Sequence, residues 1–173
     1  LDYAQIVWDK KGTALAVLKG NQEKDLWEKD NVLLAFTGLN GESFANFKYD
    51  PSKDPEFPKD MVISERVLPQ RRRRQGTEEN QALIWSKDLS RIFCGIKEQE
   101  KKPKKSKEAL PNVNIWHWKD EKIQSLQKNR FKYNLNFTYR SVYQLKEKNF
   151  IQLADKNIRT ITLTHEGKWG VGR

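Results

Sequence analysis

The chain has 173 residues, of which 36% are apolar, 11% aromatic and 32% charged, and its formal net charge is +10. No segment approaches the roughly 18 consecutive apolar residues of a membrane-spanning helix, which excludes such a span. Cys94 is the only cysteine, so intrachain disulfides and cysteine-rich zinc sites are excluded as well. The low apolar and high aromatic content is typical of a loop-rich β protein.

Three segments with one layout begin at Ile6, Leu83 and Ile161, which are 77 and 78 residues apart. Each segment has a β-branched or aromatic run, a polar turn and a second apolar run, a pattern that predicts a β-hairpin. In the first two segments a tryptophan, Trp8 or Trp85, ends the first run. A hairpin that recurs at a constant spacing indicates a repeat architecture.

Further strands are predicted after the first two hairpins. Residues 31–36 and 112–117 offer a third strand to each unit, and residues 60–64 and 149–153 offer a fourth. Four antiparallel strands per unit correspond to one blade of a β-propeller. Because a blade usually occupies about 40 to 50 residues, the surplus of each unit is assigned to long connections.

The connections are predicted in four places, at residues 40–60, 69–80, 97–111 and 119–135. Within the last of them, residues 121–130 have the spacing of a short helix that would direct Ile123 and Leu126 inward. The predicted fold is therefore all-β, with long loops and one short helix.

We interpret residues 1–173 as a partial β-propeller of two four-stranded blades plus part of a third. The units are a blade at 1–68, a basic linker at 69–80, a blade at 81–157 and the start of the next blade at 158–173. Such a piece cannot close a ring, so a strand edge and an apolar blade face would be uncovered. We expect the chain either to self-associate through these faces or to derive from a larger protein.

The positive charge is concentrated in the second part of the chain. Residues 1–70 carry nine basic and twelve acidic groups, whereas residues 71–173 carry 24 and 11. Two clusters contribute most, the four arginines at 71–74 and the five lysines between 101 and 107. The clusters favour solvated loops, and a basic propeller-type module that binds nucleic acid, another polyanion or a protein partner is the alternative. Neither cluster has interleaved aromatic residues, as a single-strand binding surface would.

Residues for catalysis are scarce in this sequence. The two histidines, His117 and His165, lack the spacing of a metal site. Ser43 lies in a sequence that lacks the last glycine of a G-x-S-x-G elbow, although a triad with His165 remains formally open. The sequence therefore predicts no catalytic, cofactor-binding or metal-binding residue.

Trp116 and Trp118 would share one face of a strand, with His117 on the other. Exposed, the two indoles could stack on sugars or bases. Blade strands are covered on both faces, however, so core packing is the favoured interpretation of both tryptophans. His117 is then predicted to be a buried or edge histidine with a hydrogen-bond partner.

Four segments together resemble a known family: residues 57–64, 83–98, 113–120 and 150–155. They are similar to the N-terminal propeller of bacterial prolyl oligopeptidase family serine peptidases, especially the long, exported members of Bacteroides-like bacteria. The likeness extends over roughly residues 6 to 173, and the W-H-W-K-D run at 116–120 is its most specific part. Leu89 and Leu163 depart from it, because they replace the usual turn glycine and hairpin tryptophan.

The resemblance implies a propeller that sits over an α/β-hydrolase domain and restricts which peptides reach the catalytic serine. The partners it implies are the hydrolase domain of the same parent chain and a peptide substrate that passes the propeller. The family's serine, aspartate and histidine would all lie C-terminal to Arg173, so no catalytic residue is carried onto this sequence. By resemblance alone, the location would be periplasmic or exported.

Overall fold

The computed structural model describes residues 2–41, 43–66, 81–102, 117–120, 122–128, 136–164 and 166–173. In this part the protein is mostly β, with two larger antiparallel sheets and a separate two-stranded hairpin. A 3-10 helix at Pro51–Lys53 and α-helical residues at 124–128 and 136 are described as well.

Sheet 1 is a four-stranded antiparallel meander in which every strand pairs with the next one along the chain. Its strands are β1 (Asp2–Trp8), β2 (Ala14–Asn21), β3 (Asp30–Thr37) and β4 (Ala45–Tyr49). A bulge interrupts β1, where Gln5 has a left-handed backbone and the register shifts between Ala4 and Val7. The bulge adds one residue to β1 relative to β2 and so shifts the alternation of side chains between the two faces. Tyr3 and Trp8, which pair with Lys19 and Leu15, therefore lie on the same face of the sheet.

Sheet 2 contains five strands, and two of them share one partner. The strands are β5 (Met61–Ser64), β6 (Leu83–Trp85), β7 (Arg91–Glu98), β8 (Tyr139–Gln144) and β9 (Asn149–Gln152). β6 pairs with the first part of β7 and β5 with its last part, while β8 and β9 follow on the other side. β5 and β6 thus form a single split edge, and the sheet is four strands wide.

A third hairpin, β10 (Ile161–Leu163) with β11 (Gly170–Gly172), packs on the far side of sheet 2. Leu163 contacts the hydrophobic cluster around Phe93 and Val142. Gly167 lies so close to Phe93 that a Cβ atom at Gly167 would come within 2.9 Å of the ring. Sheet 1, sheet 2 and the third hairpin therefore follow one another as layers.

The turns of the three hairpins are built in the same way. In each, the backbone N–H of the first turn residue donates to the carbonyl five residues later, at 2.9 to 3.0 Å. The pairs are Asp9 with Ala14, Ser86 with Arg91, and Thr164 with Trp169. In each, a side-chain oxygen of the first residue also accepts the N–H of the last. The recurrence that the sequence predicts is thus present in the hairpin geometry.

Each of the three turns also contains one residue with a left-handed backbone. Gly12 has φ +69° and Gly167 has φ +70°, while Leu89 occupies the equivalent position with φ 56°. A side chain with a Cβ is disfavoured in this region because the Cβ approaches the carbonyl oxygen. The leucine that replaces the turn glycine has therefore kept the glycine conformation.

The main core lies between the two sheets. Sheet 1 contributes one face, with Val7, Ala16, Leu18, Leu33, Ala35 and Tyr49, and sheet 2 contributes Ile63, Leu83, Ile92, Cys94, Ile96 and Tyr143 among others. Tyr49 and Phe150 stack with ring centroids 5.0 Å apart and nearly parallel planes. Sheet-on-sheet contact of this kind buries apolar area on both partners and stabilises the layered arrangement.

One strand prediction is wrong in its pairing, and another falls almost wholly outside the described residues. The fourth strand of sheet 1 is β4, which lies inside the predicted connection at residues 40–60, and the predicted strand at 60–64 belongs to sheet 2 instead. Next to β7, the position expected for residues 112–117 is held by β8, and residues 112–116 lie outside the described part. The predicted strand at 149–153 is confirmed as β9.

The prediction of a short helix is confirmed only in part. A helical turn covers residues 124–128, but Ile123 and Leu126 are 62% and 37% exposed instead of pointing inward. Residues 121, 129 and 130 of the predicted helix lie outside the described residues. The connection predicted at 97–111 begins later than expected, since β7 continues to Glu98 and Lys101 forms a bridge with Leu26, while residues 103–111 lie outside the described residues.

Candidate interaction surface

The two faces of sheet 1 differ in what covers them. Ala16 and Leu18 point to sheet 2, so Leu15 and Val17 between them point the other way. The registers of β1, β3 and β4 extend this second face, which we call the head face. It consists of Tyr3, Trp8, Leu15, Val17, Val32, Leu34 and Phe36, flanked by Lys19, Asn46 and Lys48.

The head face is apolar and carries exposed aromatic rings. Trp8 is 53% exposed and Tyr3 is 60% exposed, and the Lys19 ammonium lies 5.8 Å from the centre of the Tyr3 ring. None of the apolar head-face residues belongs to a hydrophobic cluster of the described part of the chain. Leu15, Val32, Leu34 and Phe36 are half-buried and Val17 is 7% exposed, so the exposed apolar area of the head face is that of the two aromatic rings in β1.

Trp8 has an equivalent in each later hairpin, and both equivalents are packed. Trp85, 77 residues later, packs on the core of sheet 1, and its Nε1 donates to the Val7 carbonyl at 3.3 Å. Leu163, 78 residues after Trp85, packs on sheet 2 in the same way. Each hairpin thus directs this residue onto the preceding sheet. For Trp8, no preceding sheet lies within the described residues.

The opposite end of the stack has a face of its own, on the outer side of β10 and β11. Val171 is 77% exposed there and pairs with Thr162, which is exposed too. We call these two residues the tail face. Val171 is equivalent to Phe93 and, one repeat earlier, to Ala16. Sheet 2 packs on the face that contains Ala16, and the third hairpin packs on the face that contains Phe93.

An ionic cluster at one end of the sheets holds the two layers together. Glu28, 7% exposed in the loop after β2, accepts hydrogen bonds at Oε1 from Nε and Nη2 of Arg66 at 3.0 and 2.8 Å. Lys97 Nζ lies 3.4 Å from the same oxygen, and Arg66 Nη1 also donates to Asn136 Oδ1. Gln99 exchanges two further hydrogen bonds with the Glu28 backbone. A charge this buried is retained only with such partners.

Residues considered for catalysis are not brought together in the described structure. Ser43 is exposed in the loop before β4, and His165 lies outside the described residues. Cys94 is fully buried, and burial raises the pKa of its thiol to about 12, which keeps it protonated and unreactive. Among the described residues, no group of three or more histidine, cysteine, aspartate or glutamate side chains could hold a metal ion.

The prediction of core packing is wrong for Trp118, which is 75% exposed. Its ring stacks on His117 with centroids 5.9 Å apart, and the Lys119 ammonium lies 5.1 Å from its centre. The prediction that His117 is buried or at a strand edge is also wrong, because this residue is exposed in a polar turn; it does have a hydrogen-bond partner, since its Nδ1 accepts the Lys119 N–H. The physical reason is that this segment forms a turn in the structure instead of a covered strand. Trp116 lies outside the described residues.

The basic clusters contribute little to the described surface. The four arginines at 71–74 and the lysines at 104, 105 and 107 lie outside the described residues. Lys101 and Lys102 are exposed, and Lys102 Nζ donates to the Lys24 carbonyl at 3.3 Å. The polyanion-binding interpretation therefore stays an untested alternative.

Comparison with known proteins adds no assignment, since no family model, curated protein or solved structure matches the chain. In the described part no helix has the length and apolar character needed to cross a membrane. The candidate surface is accordingly defined by the chain's own repeat: a head face and a tail face at opposite ends of three stacked layers.

Proposed function

We propose that the chain is a noncatalytic segment of a β-propeller that gates and scaffolds a serine peptidase of the prolyl oligopeptidase family. The hydrolase domain is then another part of the same parent chain, and the parent is periplasmic or exported. One observation carries the proposal: Trp85 and Leu163, at equivalent positions, pack on the sheet before them.

The layering supports the propeller part of the proposal. In a propeller, small antiparallel sheets pack face to face and each contacts only its neighbours. Sheets 1 and 2 are both four strands wide and each contains an equivalent hairpin, and the third hairpin is a further equivalent that packs on sheet 2. The uncovered head face is what an end blade would present before its neighbour is added.

The peptidase part of the proposal is supported by the resemblance of the Trp85 hairpin and the W-H-W-K-D run at 116–120. In this role the segment has no catalytic residue. It forms part of the wall around a channel, and a peptide must fit through that channel to reach the serine. Stable packing between the sheets keeps the channel narrow, so the interface at Trp85 contributes to the gate.

The parent protein tests this proposal directly. Its reading frame is expected to encode G-x-S-x-G followed by an acid and a histidine, and a fluorophosphonate probe is expected to label that serine. Replacing Trp85 with alanine loosens the interface, so kcat/KM for long peptides is expected to rise relative to short ones. Trp118→Ala is the matched control, because this exposed indole lies outside the interface. A parent without a serine hydrolase domain, or an unchanged ratio, overturns the proposal.

A further inference from the structure

We propose that the chain binds a small zwitterion with an apolar side chain, an amino acid or a short peptide, in a cleft between sheets 1 and 2. The cleft has a volume of about 370 Å³ and lies where the turns after β6 and β8 meet β3 and β4. Its lining residues are Thr37, Phe47, Asp88, Leu89, Ser90, Leu145 and Lys146. All of them lie within residues 37–146, so the cleft does not depend on what adjoins the head face or the tail face.

The apolar part of the cleft is built on the main core. Phe47 in β4 packs against that core, and Leu145 is 2% exposed within it. The Leu145 N–H donates to the Ser90 carbonyl at 3.0 Å, which joins the two turns of sheet 2. The cleft is therefore formed before any ligand enters, as is usual for small-molecule sites.

Leu89 contributes an apolar wall at the cost of backbone strain. Its φ of 56° is left-handed, at the position that Gly12 and Gly167 occupy in the other two hairpins. A glycine would adopt this backbone without strain, but it has no side chain to line the cleft. Strained backbone is concentrated at binding and catalytic sites, so the leucine at this position supports a ligand site here.

Asp88 supplies a negative charge whose position is fixed. Its Oδ1 accepts hydrogen bonds from Ser86 Oγ at 2.7 Å, from Ser90 Oγ at 2.8 Å and from the Ser90 N–H at 3.2 Å. Within the described part of the chain no hydrogen bond ends on Oδ2. One carboxylate oxygen thus orients the group, and the other is available to an ammonium group of a ligand.

Lys146 supplies the opposite charge to the same cleft. Its side chain is exposed, and it forms no ion pair with the residues that the structure describes. A ligand with only a positive charge would be opposed by Lys146, and one with only a negative charge by Asp88. A zwitterion pairs with both residues while its apolar side chain contacts the apolar wall.

Isothermal titration calorimetry of the chain with four probes tests the ligand class. L-Leucine and the dipeptide dileucine carry both charges, whereas N-acetyl-leucine lacks the ammonium group and leucine amide lacks the carboxylate. Saturable binding of a zwitterion is expected, with each blocked form about tenfold weaker, because it loses a hydrogen bond to a charged group. Tighter binding of dileucine would identify a short peptide as the ligand, and tighter binding of leucine a free amino acid.

Two variants test the assigned residues. Lys146→Gln removes the positive charge, and Leu89→Gly removes the apolar wall while it relieves the left-handed strain. Both are expected to remain folded, which thermal unfolding checks, and to bind the zwitterion about tenfold more weakly. Lys148→Gln is the matched control, because this exposed lysine of the same turn lies outside the lining. It is expected to bind like the unmodified chain.

Three results overturn the inference. The first is that neither zwitterion binds at millimolar concentration. The second is that the blocked forms bind as tightly as the zwitterions. The third is that folded Lys146→Gln and Leu89→Gly variants bind like Lys148→Gln. None of these results depends on a hydrolase domain in the parent, so failure here and failure of the proposed peptidase role are distinguishable.

Discussion

Trp85 in sheet 2 donates a hydrogen bond from its indole Nε1 to the carbonyl oxygen of Val7 in sheet 1, at 3.3 Å. Val7 precedes Trp8, the equivalent of Trp85 one repeat earlier, in β1. Trp85 thus joins sheet 2 to sheet 1, whereas its equivalent Trp8 is exposed on the head face. Packing of one and exposure of the other follow from position in the stack and not from local sequence.

Replacing Trp85 with phenylalanine is expected to lower the free energy of unfolding by about 1 kcal/mol, because the Val7 carbonyl loses its donor. The aromatic ring is retained, so most of the packing on the core remains. Urea unfolding followed by circular dichroism measures the change. Trp118→Phe, at an indole that is 75% exposed, is the control and is expected to leave the midpoint unchanged. Equal effects of both substitutions would contradict the assigned role.

The three hairpins could be predicted because each is determined by residues that are close together in the sequence. Apolar runs on both sides of a polar turn specify β1–β2, β6–β7 and β10–β11. β8 was missed because buried polar residues, Arg140 and Ser141, interrupt its apolar pattern. β4 was missed because it is short and alternates Phe47 and Tyr49 with polar residues inside a loop-like segment.

Sheet membership and the interaction surface could not be predicted from local pattern. The strand at Met61–Ser64 was expected in the first unit, yet it pairs with β7, and such a choice of partner depends on long-range packing. Trp8 and Trp85 end apolar runs of the same layout, yet Trp85 packs between the two sheets and Trp8 is exposed. The Glu28 cluster joins residues that are 38 and 69 positions apart, a proximity that spacing alone does not reveal.

Gly12→Ala is expected to destabilise the first hairpin by about 1 kcal/mol, since a Cβ disfavours the left-handed backbone that Gly12 adopts. A Cβ there would meet no atom within 4 Å, so the effect isolates backbone conformation from steric contact. Gly41→Ala is the matched control, because the nearest atom to its added Cβ is 3.6 Å away and its φ is not left-handed. Thermal unfolding of both variants checks the difference, and a lower Tm for Gly41→Ala alone would contradict it.

Glu28→Gln is expected to cost about 2 kcal/mol of stability, because Arg66 and Lys97 lose the carboxylate that compensates their charges. Denaturant unfolding gives the value. Glu166→Gln provides the comparison: its contact with Lys168 is more than half exposed, and such pairs contribute about 0 to 1 kcal/mol. A cost for Glu28→Gln no larger than that for Glu166→Gln would show that the cluster does not hold the sheets together.

Asp88 is expected to make folding sensitive to acid. Hydrogen bonds from Ser86 and Ser90 lower the pKa of the Asp88 carboxyl to about 2, from an ordinary value near 3.8. Because the folded pKa is depressed, this contribution to stability is present above the ordinary pKa and is lost as the pH falls through the folded value. Asp88→Asn is expected to reduce the loss of stability between these two pKa values, measured by urea unfolding at several pH values. A pH profile that Asp88→Asn leaves unchanged would contradict this role of the carboxyl.

Cys94 is expected to resist thiol reagents as long as the two sheets stay packed. Its side chain is 0% exposed within the core between the sheets, and desolvation raises its pKa to about 12, so the reactive thiolate is scarce near neutral pH. Reaction with a disulfide chromogen is expected to follow global unfolding, with a rate that rises steeply with urea. Trp85→Phe is expected to accelerate labelling through its lower stability, whereas Trp118→Phe is not. Rapid labelling of the unmodified chain without denaturant would contradict the packed interface on which the stacking of the layers depends.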